Sequence, residues 1–129
     1  MSKKENKVTG NIGENFACKY LEKCHYQILE RNFVSYRGEI DIIALDSNEI
    51  VFIEVKTRTQ MFCGLPVEAV NHSKQKQIYK VAQYYLYANN LLNAKVRFDV
   101  IEIYLYGSNS YKINHIKDIL FESPFTHIY

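Results

Sequence analysis

From Arg37 to Arg58 two apolar stretches, Ile42-Ile43-Ala44-Leu45 and Ile50-Val51-Phe52-Ile53, flank Asp46-Ser47-Asn48-Glu49, four residues that favour turns, and each carries its charged residues at the end far from the turn. The pattern predicts two strands, Arg37 to Asp46 and Glu49 to Arg58, closed as a hairpin. A loop of Ser47-Asn48 and a longer loop from Asp46 to Glu49 give the same register, in which Asp41 faces Glu54 and Glu39 faces Lys56. That register sets Ile40, Ile42 and Ala44 against Val55, Ile53 and Val51 on one apolar face. A slip of one residue would scatter the match, so the pattern selects its own pairing. On the other face Ile43 and Leu45 meet Phe52 and Ile50 near the turn, while Glu39, Asp41, Glu54 and Lys56 gather at the far end.

The flanking segments supply the remaining elements. Ile12, Phe16, Ala17, Tyr20 and Leu21 recur at helical spacing and predict a helix over Asn11 to Lys23, started by an Asn11/Glu14 capping box. Tyr26 to Phe33 reads as a strand that leads into the hairpin as an antiparallel meander. After a loop from Thr59 to Leu65, Pro66 opens a short turn and Ser73 caps a second helix beginning at Lys74, with Ile78, Val81, Ala82, Tyr85 and Leu86 on one face. Val96 to Tyr106 is apolar and β-branched enough for a strand buried on both sides. Gly107 to Ser110 form a turn, and Tyr111 to Ile116 return as an edge strand. The order α β β β α β β describes an α/β protein, more narrowly a mixed α+β sheet with a helix on each face. Residues 1–9 are expected to be a flexible tail and 10–129 a single domain.

Composition narrows the function classes. A chain of 129 residues with 47% hydrophobic residues suits one core. The net charge of +2 gives no global basic field, so affinity for nucleic acid has to come from a local patch. Cys18, Cys24 and Cys63 are odd in number and lack metal-binding spacing, which points to reduced thiols in the cytoplasm and away from zinc. No stretch has the length of a membrane span, so a soluble protein without a membrane partner is expected.

The charged end of the hairpin is where the sequence points to chemistry. Directly opposed residues have β carbons about 5 Å apart, so the carboxylates of Asp41 and Glu54 can share one hard cation. Mg2+ or Mn2+ takes oxygen ligands and keeps waters, and the backbone carbonyl of Val55 offers a third protein ligand. Lys56 projects from the same face roughly 7 Å along the strand from Glu54, where it can orient a water and offset charge on a phosphate. Glu14 can close the site from the first helix. Arg37 and Arg58 face each other if the pairing extends that far, which suits phosphate binding, and Lys74 is a further phosphate-binding candidate. Plainer alternatives stand beside these. Glu39 and Lys56 can be a surface ion pair, Glu14 a helix cap, and Lys74, Lys76 and Lys80 a solvated face. Tyr79, Tyr84, Tyr85 and Tyr87 tempt a base-stacking role, but helical spacing puts at least Tyr85 in the core. Two opposed carboxylates are harder to explain away, because they destabilise a strand pair unless a cation or a shared proton neutralises them.

Taken together, Gly10, Gly13-Glu14, Arg31-Asn32, Arg37-Gly38-Glu39-Ile40-Asp41, Phe52-Ile53-Glu54-Val55-Lys56-Thr57-Arg58, Lys74 and Arg97-Phe98-Asp99-Val100 resemble the YraN-like family of small bacterial proteins. The resemblance runs from about Gly10 to Ile116. That family looks like a branch of the restriction-endonuclease-like PD-(D/E)XK nucleases, similar in layout to archaeal Holliday junction resolvases. The resemblance implies an α β β β α β core with Asp41 as the motif aspartate, Glu54 and Lys56 as the (D/E)XK pair, and Glu14 as the first-helix acid. Ile40 stands where the superfamily name places proline, and Glu39 is an acid that the superfamily pattern does not require. The expected activity is metal-dependent endonuclease hydrolysis of DNA phosphodiester bonds, on branched or structured DNA, with Mg2+ or Mn2+ as cofactor. A homodimer would serve symmetric cutting of two strands. The alternative is a non-catalytic nucleic-acid-binding or interaction module on the same fold.

Overall fold

The structure, a computed structural model, describes residues 3–59, 72–106 and 110–119. Helix α1 (Lys3–Lys23) precedes strands β1 (Gln27–Ser35), β2 (Gly38–Asp46) and β3 (Glu49–Thr59); helix α2 (His72–Ala88) and strands β4 (Lys95–Tyr106) and β5 (Ser110–Ile116) follow. All strands join one five-stranded mixed sheet in the spatial order β1-β2-β3-β4-β5. Neighbours pair antiparallel except β3 and β4, which run parallel. Parallel neighbours require a crossover rather than a tight turn, and the β3-to-β4 connection contains α2.

Among the described residues, each face of the sheet carries one helix. Ala17 and Leu21 of α1 pack with Ile42, Ala44, Val51, Ile53, Ile101 and Ile103. Ile78, Tyr79, Val81, Ala82, Tyr85 and Leu86 of α2 pack with Ile43, Ile50, Phe52, Phe98 and Val100 on the other side. The two-residue period of the strands and the helical period of α1 and α2 therefore each found their partner surface.

Several boundaries differ from the sequence reading. Helix α1 starts at Lys3, so Lys3 to Thr9 are helical where a flexible tail was expected over residues 1–9. Lys and Glu in this segment are good helix formers, and nothing in it forces a stop. Asn11 and Glu14 consequently lie inside the helix, and no capping box forms there. Helix α2 starts at His72, which places Ser73 in its first turn and not at its cap. Ile40 also departs from expectation: it packs on the α2 side with Ile43, although Ile42 and Ala44 face α1. The expected turn at Pro66, together with Cys63, lies outside the described residues, as do Gly107 to Asn109.

Strand β4 is buried along its centre, as its apolar run predicts, yet it holds Asp99 and Glu102, both buried. Asp99 accepts hydrogen bonds from Arg97 Nε at 2.9 Å and from the Asp118 N–H at 3.0 Å, and its Oδ2 lies 2.7 Å from His115 Nε2. Arg97 extends the network to Asp46 Oδ2 at 3.0 Å, Glu49 Oε1 at 3.1 Å and the Tyr26 hydroxyl at 2.8 Å. The start of β4 is thereby tied to both ends of the β2–β3 turn. Cys18 and Cys24 are free thiols. Among the described residues no helix is long and apolar enough to cross a membrane.

Candidate active site

The β2–β3 ladder runs from Asp46↔Glu49 to Ile42↔Ile53 and no further. This is the register that the turn and the apolar match select. Past Ile42, β2 stays paired with β1 as far as Gly38, whereas β3 stays paired with β4 as far as Thr59. Asp41 and Glu54 are therefore the first residues beyond the ladder, at the mouth of a fork. There the Asp41 side chain takes over from the backbone: its Oδ2 accepts a hydrogen bond from the Val55 N–H at 2.8 Å. The fork also breaks the alternation, which is why Ile40 sits on the opposite face from Ile42. On the β1 side, Asn32 lies between the pairs Arg31↔Ile42 and Phe33↔Ile40, in register with Asp41, and adopts φ +53°. Asn tolerates the left-handed region better than most residues.

Glu14 reaches the fork from α1. Gly13 makes this approach possible, because a Cβ at that position would overlap the Thr57 hydroxyl of β3. Glu14 is 6% exposed, and its Oε1 accepts hydrogen bonds from Asn32 Nδ2 at 2.9 Å and Arg31 Nη2 at 3.3 Å. Arg31 is itself steadied by Asn15 Oδ1 at 2.7 Å. A buried carboxylate needs such donors to replace the water it has lost.

Lys74 of α2 closes the other side, with its Nζ 2.6 Å from Glu54 Oε1; Lys56 Nζ is 3.7 Å from the same oxygen. The fork thus collects Glu14, Asp41, Glu54, Lys56 and Lys74 from α1, β2, β3 and α2. Its electrostatics are unbalanced. Burial, then the neighbouring Glu54 charge, with smaller contributions from Glu14 and Glu39, pushes the Asp41 carboxyl up from 3.8 to about 7, against the Val55 hydrogen bond. Burial, followed by the adjacent Lys74 ammonium, pushes Lys56 down from the usual lysine range, against the pull of Glu54 and Asp41. Burial also opposes charge on Lys74, but the Glu54 carboxylate outweighs it and holds Lys74 up. Among the described residues no three His, Cys, Asp or Glu side chains form a metal-holding group of their own. Two carboxylates, a carbonyl and retained waters remain the donor set on offer.

Three expectations need correction. The Asp41–Glu54 and Glu39–Lys56 ladder pairs do not form, since the ladder has already ended; Glu39 is exposed and Lys56 approaches Glu54 instead. Arg37 and Arg58 do not face each other either. Arg37 is exposed, with its guanidinium 4.8 Å over the Tyr36 ring, while Arg58 turns inward with its Nε 3.7 Å from Glu102 Oε2. Lys74 is part of the acid cluster rather than a solvated face.

Sequence reasoning assigned no role to Arg31 and Asn32, because no local pattern tells that their side chains turn toward a helix of another layer. Glu102 was also overlooked. A carboxylate in the middle of an apolar strand demands partners, and that signal was available; the partners are Arg58, Tyr104 at 3.2 Å and Asn114 at 3.0 Å.

A family model described as uncharacterised protein family UPF0102 matches residues 13–103. The chain belongs to the UPF0102 family. It is 49% identical over 118 residues to a UPF0102 protein of Caldanaerobacter subterraneus subsp. tengcongensis, covering 90% of this chain and 97% of the relative. It is 51% identical over 117 residues to a UPF0102 protein of Clostridium beijerinckii, covering 90% and 95% respectively. A Clostridioides difficile member is 48% identical over 111 residues, covering 86% and 95%. The UPF0102 match spans all the residues of the fork, from Glu14 on α1 to Lys74 on α2.

Proposed function

We propose that this UPF0102 protein is a metal-dependent endonuclease of the restriction-endonuclease-like PD-(D/E)XK class that hydrolyses DNA phosphodiester bonds, with branched or otherwise structured DNA as its substrate. The observation that carries the reading is the fork just past the end of the β2–β3 ladder, where Asp41 accepts the Val55 N–H at 2.8 Å beside Glu54 and Lys56 Nζ lies 3.7 Å from Glu54 Oε1; burial beside Glu54 pushes the Asp41 carboxyl up. An acid pair of this kind is at odds with itself at neutral pH until a cation joins it. Asp41, Glu54 and the Val55 carbonyl are the residues that would hold Mg2+ or Mn2+. A divalent ion there supplies a water of lowered pKa and polarises a phosphoryl oxygen. The chain's own contribution is positional. The Val55 N–H orients Asp41, Arg31 and Asn32 hold Glu14, and the Lys56 ammonium, crowded by Lys74 and pushed below the usual lysine range by burial, is suited to orienting a water.

The test is incubation of purified protein with branched, nicked and single-stranded DNA, with and without Mg2+. Cleavage that requires metal and is lost in Asp41→Asn and in Lys56→Ala supports the reading. Cleavage that survives both substitutions assigns the activity to another source.

One observation favours a second reading. Lys74 Nζ lies 2.6 Å from Glu54 Oε1, so an internal cation already neutralises one of the two acids. On that basis the protein would be a non-catalytic nucleic-acid-binding module. It would bind DNA with a salt-dependent affinity, release no product with either metal, and lose little binding in Lys56→Ala.

A further inference from the structure

A groove of about 480 Å³ lies beside the β1–β2 turn, walled by Tyr36, Arg37, Lys80, Tyr84, Tyr87 and Leu92. Its rings are open to solvent: Tyr36 is 84% exposed, Tyr87 70% and Tyr84 46%. Exposed aromatics clustered in one concavity mark a binding surface more often than isolated apolar residues do. Among the described residues, two cations and no carboxylate line the groove, which suits an anionic occupant. Tyrosines supply flat faces, and Arg37 already lies over one of them at 4.8 Å from the Tyr36 ring centre. Charge for a backbone and rings for bases, in the same concavity, is how proteins hold single-stranded nucleic acid without reading its sequence.

The groove is joined to the acid fork along α2. Lys74 touches Glu54, Gln77 packs against Gly38 at the start of β2, and Lys80 and Tyr84 wall the groove. At 1.5 Å per residue, the path from Lys74 is roughly 9 Å to Lys80 and about 20 Å to Tyr87. At about 3.4 Å per stacked nucleotide, that is roughly three to six nucleotides.

We propose that the groove formed by Tyr36, Arg37, Lys80, Tyr84 and Tyr87 binds a single-stranded nucleic-acid segment and leads it along α2 to the acid fork. The substrate class is therefore a DNA carrying an unpaired arm. This rests on the nucleic-acid reading above, but binding at the groove is measured without hydrolysis.

The experiment is fluorescence anisotropy of a short labelled oligothymidylate and of a blunt duplex of equal length, both in EDTA. Wild type is expected to bind the single strand more tightly than the duplex. Tyr36→Ala with Tyr87→Ala weakens single-strand binding about tenfold or more, since each stacked ring contributes on that scale. Tyr36→Phe with Tyr87→Phe retains it, because stacking does not need the hydroxyl. Arg37→Ala lowers the slope of log affinity against log salt by about 0.7. Circular dichroism melts verify that the variants fold, and if the alanine pair does not, the salt slope of Arg37→Ala decides. Absence of binding, a preference for duplex, or an alanine pair that binds as wild type overturns the proposal. So does an alanine pair that instead loses self-association, which would assign the groove to a protein partner. Asp41→Asn distinguishes the two readings: lost cleavage with unchanged oligonucleotide affinity bears on hydrolysis alone. Oligonucleotide binding that fails while metal-dependent cleavage of branched DNA persists removes the groove and leaves the fork.

Discussion

Asp41→Asn should stabilise the folded chain at alkaline pH and leave it unchanged in acid. The side chain keeps its shape, and the amide oxygen can accept the Val55 N–H as Asp41 Oδ2 does at 2.8 Å. What disappears is a negative charge held beside Glu54 and within reach of Glu14 and Glu39. Burial and these neighbours move the Asp41 carboxyl from 3.8 to about 7. In that interval the folded state keeps a proton that the unfolded chain has already lost, so stability falls as pH rises through it. At about 1.4 kcal/mol for each tenfold change in proton affinity, the loss approaches roughly 4 kcal/mol by pH ~8. Lys74, 2.6 Å from Glu54, already offsets the Glu54 charge, so the residual strain resides on Asp41. Urea unfolding followed by circular dichroism, in EDTA, measures the effect. With a slope of about 2 kcal/mol/M for a chain of this size, the variant's midpoint should exceed wild type by about 2 M at pH ~8 and match it near pH ~4. A variant that is less stable than wild type by the same amount at both pH values would refute the reasoning, because Asp41 would then contribute through structure and not through charge.

Gly13→Ala should destabilise by about 1–3 kcal/mol despite a gain in helix propensity, since the new methyl meets Thr57, and adding Thr57→Ala should recover most of the loss in thermal melts. Asp99→Ala removes the carboxylate that pairs with the mostly buried Arg97 and should cost about 3–5 kcal/mol by urea unfolding. Burial works to raise the Asp99 carboxyl, but His115, Arg97 and the Asp118 N–H outweigh it and hold Asp99 below its ordinary value of 3.8. Its stabilisation is thus complete above the unfolded value and disappears as pH falls through the lowered folded value, so the Asp99→Ala cost should shrink in strong acid. Among the described residues Lys74→Met leaves Glu54 with the more distant Lys56, so it should lower stability at neutral pH and raise affinity for Mg2+, read by melts with and without the ion.

Much of this architecture is written in period and turn chemistry. The five strands and two helices follow from alternation, helical spacing and the turn at Asp46 to Glu49, and the hairpin register was fixed by the apolar match of Ile42, Ala44, Val51 and Ile53. What a periodic argument misses is where a ladder stops. Asp41 accepts the Val55 N–H with its side chain, so β2 and β3 part at the residues assumed to be paired, and Ile40, Arg37 and Arg58 all point elsewhere than the alternation implied. Asp41, Glu54 and Lys56 were legible because they lie on adjacent strands. The sequence left Glu14 open between a helix cap and an acid of the site, and Lys74 between a solvated face and a phosphate contact; Glu14 is a buried acid held by Arg31 and Asn32, and Lys74 pairs with Glu54. Those contacts cross between layers, and local sequence spacing carries no information about which layer a side chain will meet.

Isothermal titration of Mg2+ into wild type and into Asp41→Asn addresses the central proposal, that Asp41 and Glu54 form a cation site at the fork. The account predicts one saturable binding event per chain in wild type and none in Asp41→Asn. Equal isotherms for the two proteins, or no binding heat in wild type at several temperatures, would contradict it.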